Sequence, residues 1–160
     1  NTINDRFGGR ESSDIVKLYN LFKKEYPNTT GPLYLLSIGS RGGIQFYSVY
    51  DKFKNIKSSV ILNGASDFKL LEKERGKRFF SYLTNEERMD RGLNDKIIKT
   101  PVLFIHDKNI KKTSIKHSEK ALEILKTAGV KTKLIPMATD DFFTKKGGRL
   151  IDSWFSKNDK

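Results

Sequence analysis

The chain contains no cysteine, and only two of its 160 residues are histidines. Without thiols it can form neither disulfides nor thiolate sites for metals or redox chemistry. With His106 and His117 as the only imidazoles, a His-rich metal site is excluded, and we expect neither a metal ion nor a cofactor. No apolar run approaches the ~18 residues that a membrane-spanning helix needs, so we expect no membrane span.

Positive charge is the strongest feature of the composition, with a formal net charge of +12. The charge comes mostly from lysines that are scattered among acidic residues, and adjacent basic residues occur only as pairs, such as 77–78, 111–112 and 145–146. Two interpretations remain open, namely solvated lysine faces or a surface attracted to polyanions or membranes. Because no dense basic run is present, we favour solvated faces and predict no specific nucleic-acid partner.

Four short apolar runs alternate with segments of helical periodicity, and they lie at 33–38, 59–62, 101–105 and 133–136. This alternation predicts one α/β domain over residues 1–160, with three α/β/α layers and a mostly parallel sheet of about four strands. The unbroken apolar character of the first run predicts a strand that is covered on both faces. Residues 65–96 are the least regular part, and we predict a helical insert there, across an edge or end of the sheet.

Capping and stop signals predict where the helices begin and end. Ser12 or Ser13 is the expected cap of the first helix. The second helix should run to about Phe53, and a third over 114–127 should stop at Gly129. The phenylalanines at 142 and 143, together with Trp154 and Phe155, are predicted to pack in the core and against a closing helix.

The strand over 33–38 is followed by a tight turn, Gly-Ser-Arg-Gly-Gly at 39–43, and then by a helical pattern. Strand, sharp turn and helix with a serine at the apex form the layout of a nucleophile elbow. The glycines permit a strained turn that presents Ser40 Oγ at the end of the sheet, and the helix N-terminus favours an anion there. Many parallel-sheet proteins connect strand to helix in this way, so the turn alone also fits a purely structural role. Ligand chemistry belongs at the carboxyl ends of the strands.

Together with its flanking segments, the turn carries a wider similarity, which covers residues 5–9, 39–43, 60–67, 99–106 and 129–143. Over nearly its whole length the chain resembles the C-terminal part of an α/β-hydrolase catalytic domain, specifically that of prolyl oligopeptidase-like serine peptidases. The resemblance implies that Ser40 occupies the nucleophile position. It also implies that the backbone N–H of Arg41 is one donor of the oxyanion hole.

Three departures from the pattern of this family concern the groups that activate its serine. The position of the family's catalytic aspartate is Ile110, and the position of its catalytic histidine is Asp141. The glycine two residues before the serine is Ile38, which is expected to crowd the helix beneath the turn. Of the triad only Ser40 remains, and a carboxylate at Asp141 would be a much weaker base than imidazole at neutral pH.

Other side chains leave alternatives open. His106 is either a substitute base or a hydrogen-bonded histidine at a strand end. Asp140 and Asp141 fit a plain solvated turn better than a metal pair. Four arginines in the irregular region either clamp an acidic ligand or form a solvated helical face, and they are Arg75, Arg78, Arg88 and Arg91.

Three hypotheses about function follow. The first is a catalytically impaired hydrolase domain that acts as a binding or structural module. The second is an active serine hydrolase of peptide or ester bonds that uses Ser40 with a non-standard base. The third is a basic accessory subunit of a larger assembly. The resemblance also implies that the family's N-terminal strands are absent from this chain, so a peptide, a protein partner or an N-terminal segment is expected to complete the sheet.

Overall fold

The computed structural model describes residues 10–76, 80, 93 and 98–159. The helices are α1 (Arg10–Glu25), α2 (Gly39–Val49), α3 (Phe68–Arg75), α4 (Lys116–Thr127) and α5 (Lys145–Lys157). The strands are β1 (Leu33–Ile38), β2 (Ile56–Leu62), β3 (Val102–His106) and β4 (Thr132–Pro136). Short 3₁₀ helices cover Tyr50–Lys52 and Thr139–Asp141.

The four strands form one sheet in the order β1-β2-β3-β4, and every neighbouring pair is parallel. Parallel strands need a crossover between them, and α2 and α4 lie in the connections before β2 and before β4. The central strand β3 is buried along its whole length, as its unbroken apolar sequence requires. The prediction of a mostly parallel sheet of about four strands is confirmed.

Helices cover both faces of the sheet. On one face Phe46 of α2 and Leu125 of α4 share a buried cluster with Phe104 of β3. On the other face Ile151 of α5 packs in a second cluster with Leu103. This arrangement confirms the predicted three-layer α/β/α architecture, and it directs the carboxyl ends of all four strands to the same edge of the sheet.

The edge strand β1 departs from its prediction. Leu36 and Ile38 are 46% and 51% exposed, so the expectation that the first apolar run is covered on both faces is wrong. The reason is that α5 reaches β1 only at its start, where the ring of Tyr34 lies 4.9 Å from that of Phe155. Ile38 points to the same uncovered face as Leu36, so the prediction that it crowds the helix beneath the turn is also wrong.

The helix ends agree only in part with the capping and stop signals of the sequence. Ser12 and Ser13 lie within α1, which begins at Arg10, so the expected cap at either serine is wrong. Gly129, with φ 75°, follows α4 as predicted. Of the insert predicted over 65–96, the structure describes residues up to 76, including α3, together with Phe80 and Leu93, and the remainder lies outside the described residues. Among the described helices, none has the length and apolar character needed to cross a membrane.

Candidate functional site

The turn between β1 and α2 presents Ser40 at the carboxyl end of the sheet. Gly39 adopts φ 73°, a left-handed conformation that costs glycine little, and it makes the sharp change of chain direction. Ser40 itself is not in the left-handed region and already belongs to the first turn of α2. The cap residue of this helix is Ile38, whose side chain caps nothing. The predicted strand is confirmed, but residues 39–43, predicted as a turn, already belong to α2, which ends at Val49 and is followed by a 3₁₀ helix to Lys52. The left-handed residue at this junction is the glycine before the serine.

The hydroxyl of Ser40 is held by an arginine. Nη2 of Arg75, the last residue of α3, donates to Ser40 Oγ at 2.7 Å and to Thr113 Oγ1 at 3.3 Å. Its Nε donates to the carbonyl of Lys112 at 2.9 Å. Partial burial and then the nearby charge of Arg41 lower the pKa of Arg75, but a guanidinium stays protonated in proteins. A fixed cation, and not a base, therefore contacts the serine oxygen.

His106 is fully buried at the end of β3, and both of its ring nitrogens are engaged. Nε2 lies 2.8 Å from the carbonyl oxygen of Thr113, and Nδ1 lies 2.8 Å from Ser118 Oγ. Because a carbonyl can only accept, we assign the proton to Nε2, so that Nδ1 accepts from the serine. Burial lowers the pKa of His106, which favours the neutral form of the ring. This histidine is a hydrogen-bonded interior group, as one of the two sequence interpretations holds.

His117 is equally buried, in the first turn of α4. Its Nδ1 accepts from the backbone N–H of Ser66 at 3.2 Å, and its Nε2 lies 3.4 Å from Glu74 Oε2. Glu74 also accepts from the backbone N–H of Ser114 at 3.1 Å and from the hydroxyl of the same serine. Burial lowers the pKa of His117, while Glu74 opposes the shift. The pair joins α3 to α4 in the interior, and within the described ranges neither histidine hydrogen-bonds to Ser40.

A network around Asp107 fixes the ends of three strands relative to one another. Its Oδ2 accepts from both the N–H and the hydroxyl of Thr139 at 2.8 Å, and its Oδ1 accepts from the N–H of Asn109 at 2.9 Å. Its own N–H donates to Asn63 Oδ1 at 2.8 Å. The hydrogen bonds from Asn109 and Thr139 lower the pKa of Asp107. No local sequence pattern predicted that Asn63, Asp107 and Thr139 would form this network, because they lie in three separate segments of the chain.

A cleft of about 560 Å³ opens where these groups meet, at the edge that the sheet topology predicts for ligand chemistry. Its size lies within the range of small-molecule sites. Four apolar side chains line it, Ile38, Ile110, Phe142 and Phe143. Its polar side chains include Ser40, Asn63, Arg75, Thr113 and Thr139, and two exposed lysines, Lys111 and Lys112, complete its basic character.

The structure brings together some of the predicted site residues. Ser40 and Ile110 both line the cleft, whereas Asp141 does not. Asp141 lies in the 3₁₀ helix after β4, with Oδ2 3.7 Å from Lys146 Nζ. Arg41, whose N–H is the expected oxyanion donor, lies in the first turn of α2 beside Ser40.

Two further groups of predictions concern the cleft wall. Phe142 is a core residue as predicted, but Phe143 is 70% exposed, so the core prediction is wrong for it. Phe143 lies just after a short 3₁₀ helix. Because such a segment has neither the periodicity of a strand nor that of a long helix, the sequence pattern did not predict which of the two phenylalanines is buried. Arg75 reaches the cleft. The other three arginines of that region lie outside the described residues, and the sequence alone did not distinguish Arg75 from them.

Comparisons with known proteins identify the fold. No family model and no curated protein matches the chain. Solved structures do match, including Pyrococcus horikoshii acylaminoacyl peptidase (TM-score 0.73, 17% identity, 96% of this chain and 28% of that one). The Pyrococcus furiosus esterase Pf2001 is similar over 99% of this chain and 66% of its own, with TM-score 0.72 and 15% identity. The chain has an α/β-hydrolase fold.

A third relative supports the same fold. Arabidopsis thaliana SOBER1 is similar over 93% of this chain and 65% of its own, with TM-score 0.55 and 19% identity. The chain thus spans 28% of the peptidase and about two thirds of the esterase. The α/β-hydrolase fold explains why the candidate site lies at the carboxyl ends of the strands, beside the turn that contains Ser40.

Proposed function

We propose that this α/β-hydrolase fold, which resembles part of the prolyl oligopeptidase-like peptidases, is a binding or structural module that does not hydrolyse substrates at Ser40. The hydrogen bond from Arg75 to Ser40 Oγ supports this proposal most directly. A serine hydroxyl is a poor nucleophile unless a base within hydrogen-bond reach takes its proton, and a guanidinium has no acceptor. Because both histidines hydrogen-bond to or face other groups, the arrangement favours binding over turnover.

The positions that the resemblance assigns to the acid and the base support the same proposal. Ile110 has no group that could orient a base, although it lines the cleft. Asp141 is a carboxylate next to Lys146 and does not line the cleft. A serine hydrolase that has lost triad members can still accelerate hydrolysis about 10³–10⁴-fold over water. This residual acceleration comes from substrate binding and an intact oxyanion hole.

Hydrolysis of p-nitrophenyl acetate by the wild-type chain and by Ser40→Ala tests the proposal. The two proteins are expected to give the same rate per mole, because surface groups and water then account for all of the hydrolysis. A rate that falls in Ser40→Ala, with an unchanged circular dichroism spectrum, would support the second hypothesis, an active serine hydrolase with a non-standard base, and would overturn the proposal.

A second candidate function rests on the exposed edge of β1. A groove of about 830 Å³ runs between this strand and the neighbouring helices, and apolar side chains of α1 line it, including Leu18 and Phe22. Leu36 and Ile38 of β1 lie in the same groove and are about half exposed. Among the strands that the structure describes, only β2 pairs with β1, and a strand edge without a partner beside an apolar surface is a ready template for an added strand.

We propose that an extended polypeptide segment, from a partner or from an N-terminal part of the same protein, pairs with β1. The isolated chain should then self-associate through this surface as its concentration rises, and Leu36→Lys should suppress the association. Ile124→Lys, at an exposed position of α4 outside the groove, is the control and should leave association unchanged. A chain that stays monomeric at all concentrations in sedimentation experiments would contradict this accessory-subunit hypothesis.

A further inference from the structure

The cleft beside Ser40 is cationic, which a decayed triad does not by itself explain. Arg75, Lys111 and Lys112 line it, whereas no Asp or Glu does within the described part of the chain.

Four acidic residues adjoin lining residues in sequence or by hydrogen bonds without lining the cleft themselves. Glu74 and Asp107 are engaged in hydrogen bonds with backbone and hydroxyl groups. Asp141 lies 3.7 Å from Lys146 Nζ, and its neighbour Asp140 is exposed. Among the lining residues that the structure describes, a ligand would therefore meet an excess of positive charge.

The hydrogen bond at Ser40 determines how its hydroxyl meets a ligand. Arg75 donates to Oγ at 2.7 Å and thereby uses a lone pair of this oxygen. A hydroxyl has one proton to donate, and here no imidazole receives it. Arg75 is itself held by the Lys112 carbonyl and by Thr113, so it fixes the orientation of the serine. Within the described residues no group accepts the hydroxyl proton of Ser40, so this proton is available to a ligand in the cleft.

The rest of the lining is apolar and narrows the class of anion. Ile38, Ile110, Phe142 and Phe143 line the cleft with the cations, and Phe143 is 70% exposed. Burial of these side chains by an apolar group of a ligand would stabilise the complex. A phosphodiester chain or a free phosphate has no apolar group with which to bury them. The cleft volume of about 560 Å³ suits a ligand of the size of an arylalkanoic acid or one or two amino-acid residues.

We propose that this cleft binds a small carboxylate that carries an apolar substituent, with Ser40 and Arg75 at the carboxylate and the two phenylalanines at the substituent. The inference rests on the proposed function, because it treats the serine hydroxyl as a ligand contact and not as a nucleophile. Lys111 and Lys112 are exposed residues of the cleft lining and add an electrostatic attraction that salt screens. A free acid and the C-terminus of a short peptide share this chemistry.

Titrations of the full chain with 3-phenylpropionate and 3-phenylpropionamide, followed by ¹⁵N NMR, test the ligand class. The carboxylate should bind about ten-fold or more tightly than the amide, since only the carboxylate makes charge-assisted hydrogen bonds. Titrations with the peptide Ala-Ala-Phe and with its C-terminal amide then show whether the bound carboxylate can be the C-terminus of a peptide or only that of a small free acid. Equal affinity for acid and amide, or for inorganic phosphate and phenylpropionate, would overturn the inference.

Variants of two residues identify the site. Arg75→Gln should weaken binding of 3-phenylpropionate by about ten-fold or more, and Ser40→Ala should weaken it by a smaller factor. Ser40→Ala removes only a hydroxyl, so it keeps the test valid if Arg75→Gln does not fold. Lys126→Gln, an exposed position of α4 that does not line the cleft, is the matched control and should bind like the wild type. Wild-type affinity in a folded Arg75→Gln or Ser40→Ala protein would contradict the inference.

The failures of the inference and of the proposed function can be distinguished. If phenylpropionate binds and Ser40→Ala also lowers the rate of ester hydrolysis, the proposed function fails while the ligand class stands. If no carboxylate binds to the folded chain and hydrolysis does not depend on Ser40, the proposed carboxylate ligand is wrong while the proposed non-catalytic function stands.

Discussion

At the scale of single residues, the chemistry of Ser40 depends on which atom contacts its oxygen. The guanidinium of Arg75 donates to Oγ but has no lone pair with which to take the hydroxyl proton. A positive group beside an oxygen stabilises an alkoxide, but the alkoxide must first be formed by proton transfer. His106 and His117, the imidazoles that could accept this proton, are both buried in hydrogen-bonded interior positions.

Asp107 gives the clearest test of a single residue. Its carboxylate accepts three hydrogen bonds, from Asn109 and Thr139, and Asp107→Asn turns one acceptor into a donor that faces another donor. The variant should unfold with a free energy about 1–3 kcal/mol lower at neutral pH, as measured by urea denaturation. Asp140→Asn, on the exposed neighbouring 3₁₀ helix, should differ from the wild type by less than about 0.5 kcal/mol.

The effect of Asp107 should depend on pH in a defined direction. The native-state pKa of Asp107 is lower than its ordinary value of 3.8, so the carboxylate stabilises the native state above that value. The difference between wild type and Asp107→Asn should therefore be lost as the pH falls through the native pKa. A difference that persists unchanged in strong acid would show that Asp107 acts through packing alone.

At the scale of the elements, the first turn of α5 is positioned by close contact with the segment before it. A Cβ at Gly147 would lie 2.2 Å from the carbonyl oxygen of Phe142 and 2.4 Å from that of Asp141. At the adjacent Gly148, a Cβ would meet nothing within 4 Å. Gly147 therefore lets α5 pack against the segment that contributes Phe142 to the cleft.

Alanine substitutions at these two adjacent positions should act in opposite directions. Gly147→Ala should destabilise the protein by about 1–3 kcal/mol, because backbone atoms must shift. Gly148→Ala should stabilise it by about 0.5–1 kcal/mol, because alanine loses less backbone entropy in a helix. Thermal and urea denaturation measure both changes. Equal effects of the two substitutions would contradict the close contact at Gly147.

How far the sequence predicts each element follows from how local its signal is. The strand over 33–38 and the change of direction after it have short-range patterns, and the structure has both, although residues 39–43 already belong to α2. Coverage of Leu36 and Ile38 depends instead on how far α5 extends across the sheet, which no local pattern encodes. For the same reason the sequence did not predict the contact of Arg75 with Ser40, 35 residues away along the chain. It left open only whether Arg75 clamps an acidic ligand or lies on a solvated helical face.

At the scale of the whole molecule, two neutral histidines are enclosed in the interior. Burial lowers the native pKa of both His106 and His117 below the ordinary value of 6.5, so the unfolded chain binds more protons in acid than the native chain does. Stability due to these groups is thus present above about pH 6.5 and is lost as the pH falls below it.

Urea denaturation across this range should reveal the two histidines. The unfolding free energy should fall from about pH 6.5 downward, with a slope of at most about 1.4 kcal/mol per pH unit for each histidine. In His106→Gln the dependence of the unfolding free energy on pH should be weaker, because of the two histidines only His117 then contributes to it. The variant itself should be less stable than the wild type at every pH. A free energy that does not change between about pH 7.5 and pH 5 would contradict the enclosure of both rings.

Labelling by a fluorophosphonate probe tests most directly whether Ser40 is a nucleophile or a ligand contact. The probe reacts with serines that a base has activated, and intact mass spectrometry counts the adducts. Because Arg75 donates to Ser40 Oγ and neither histidine contacts it, the wild-type chain and Ser40→Ala are expected to give the same, substoichiometric labelling. Stoichiometric labelling of the wild type that is lost in Ser40→Ala would contradict the proposed non-catalytic function.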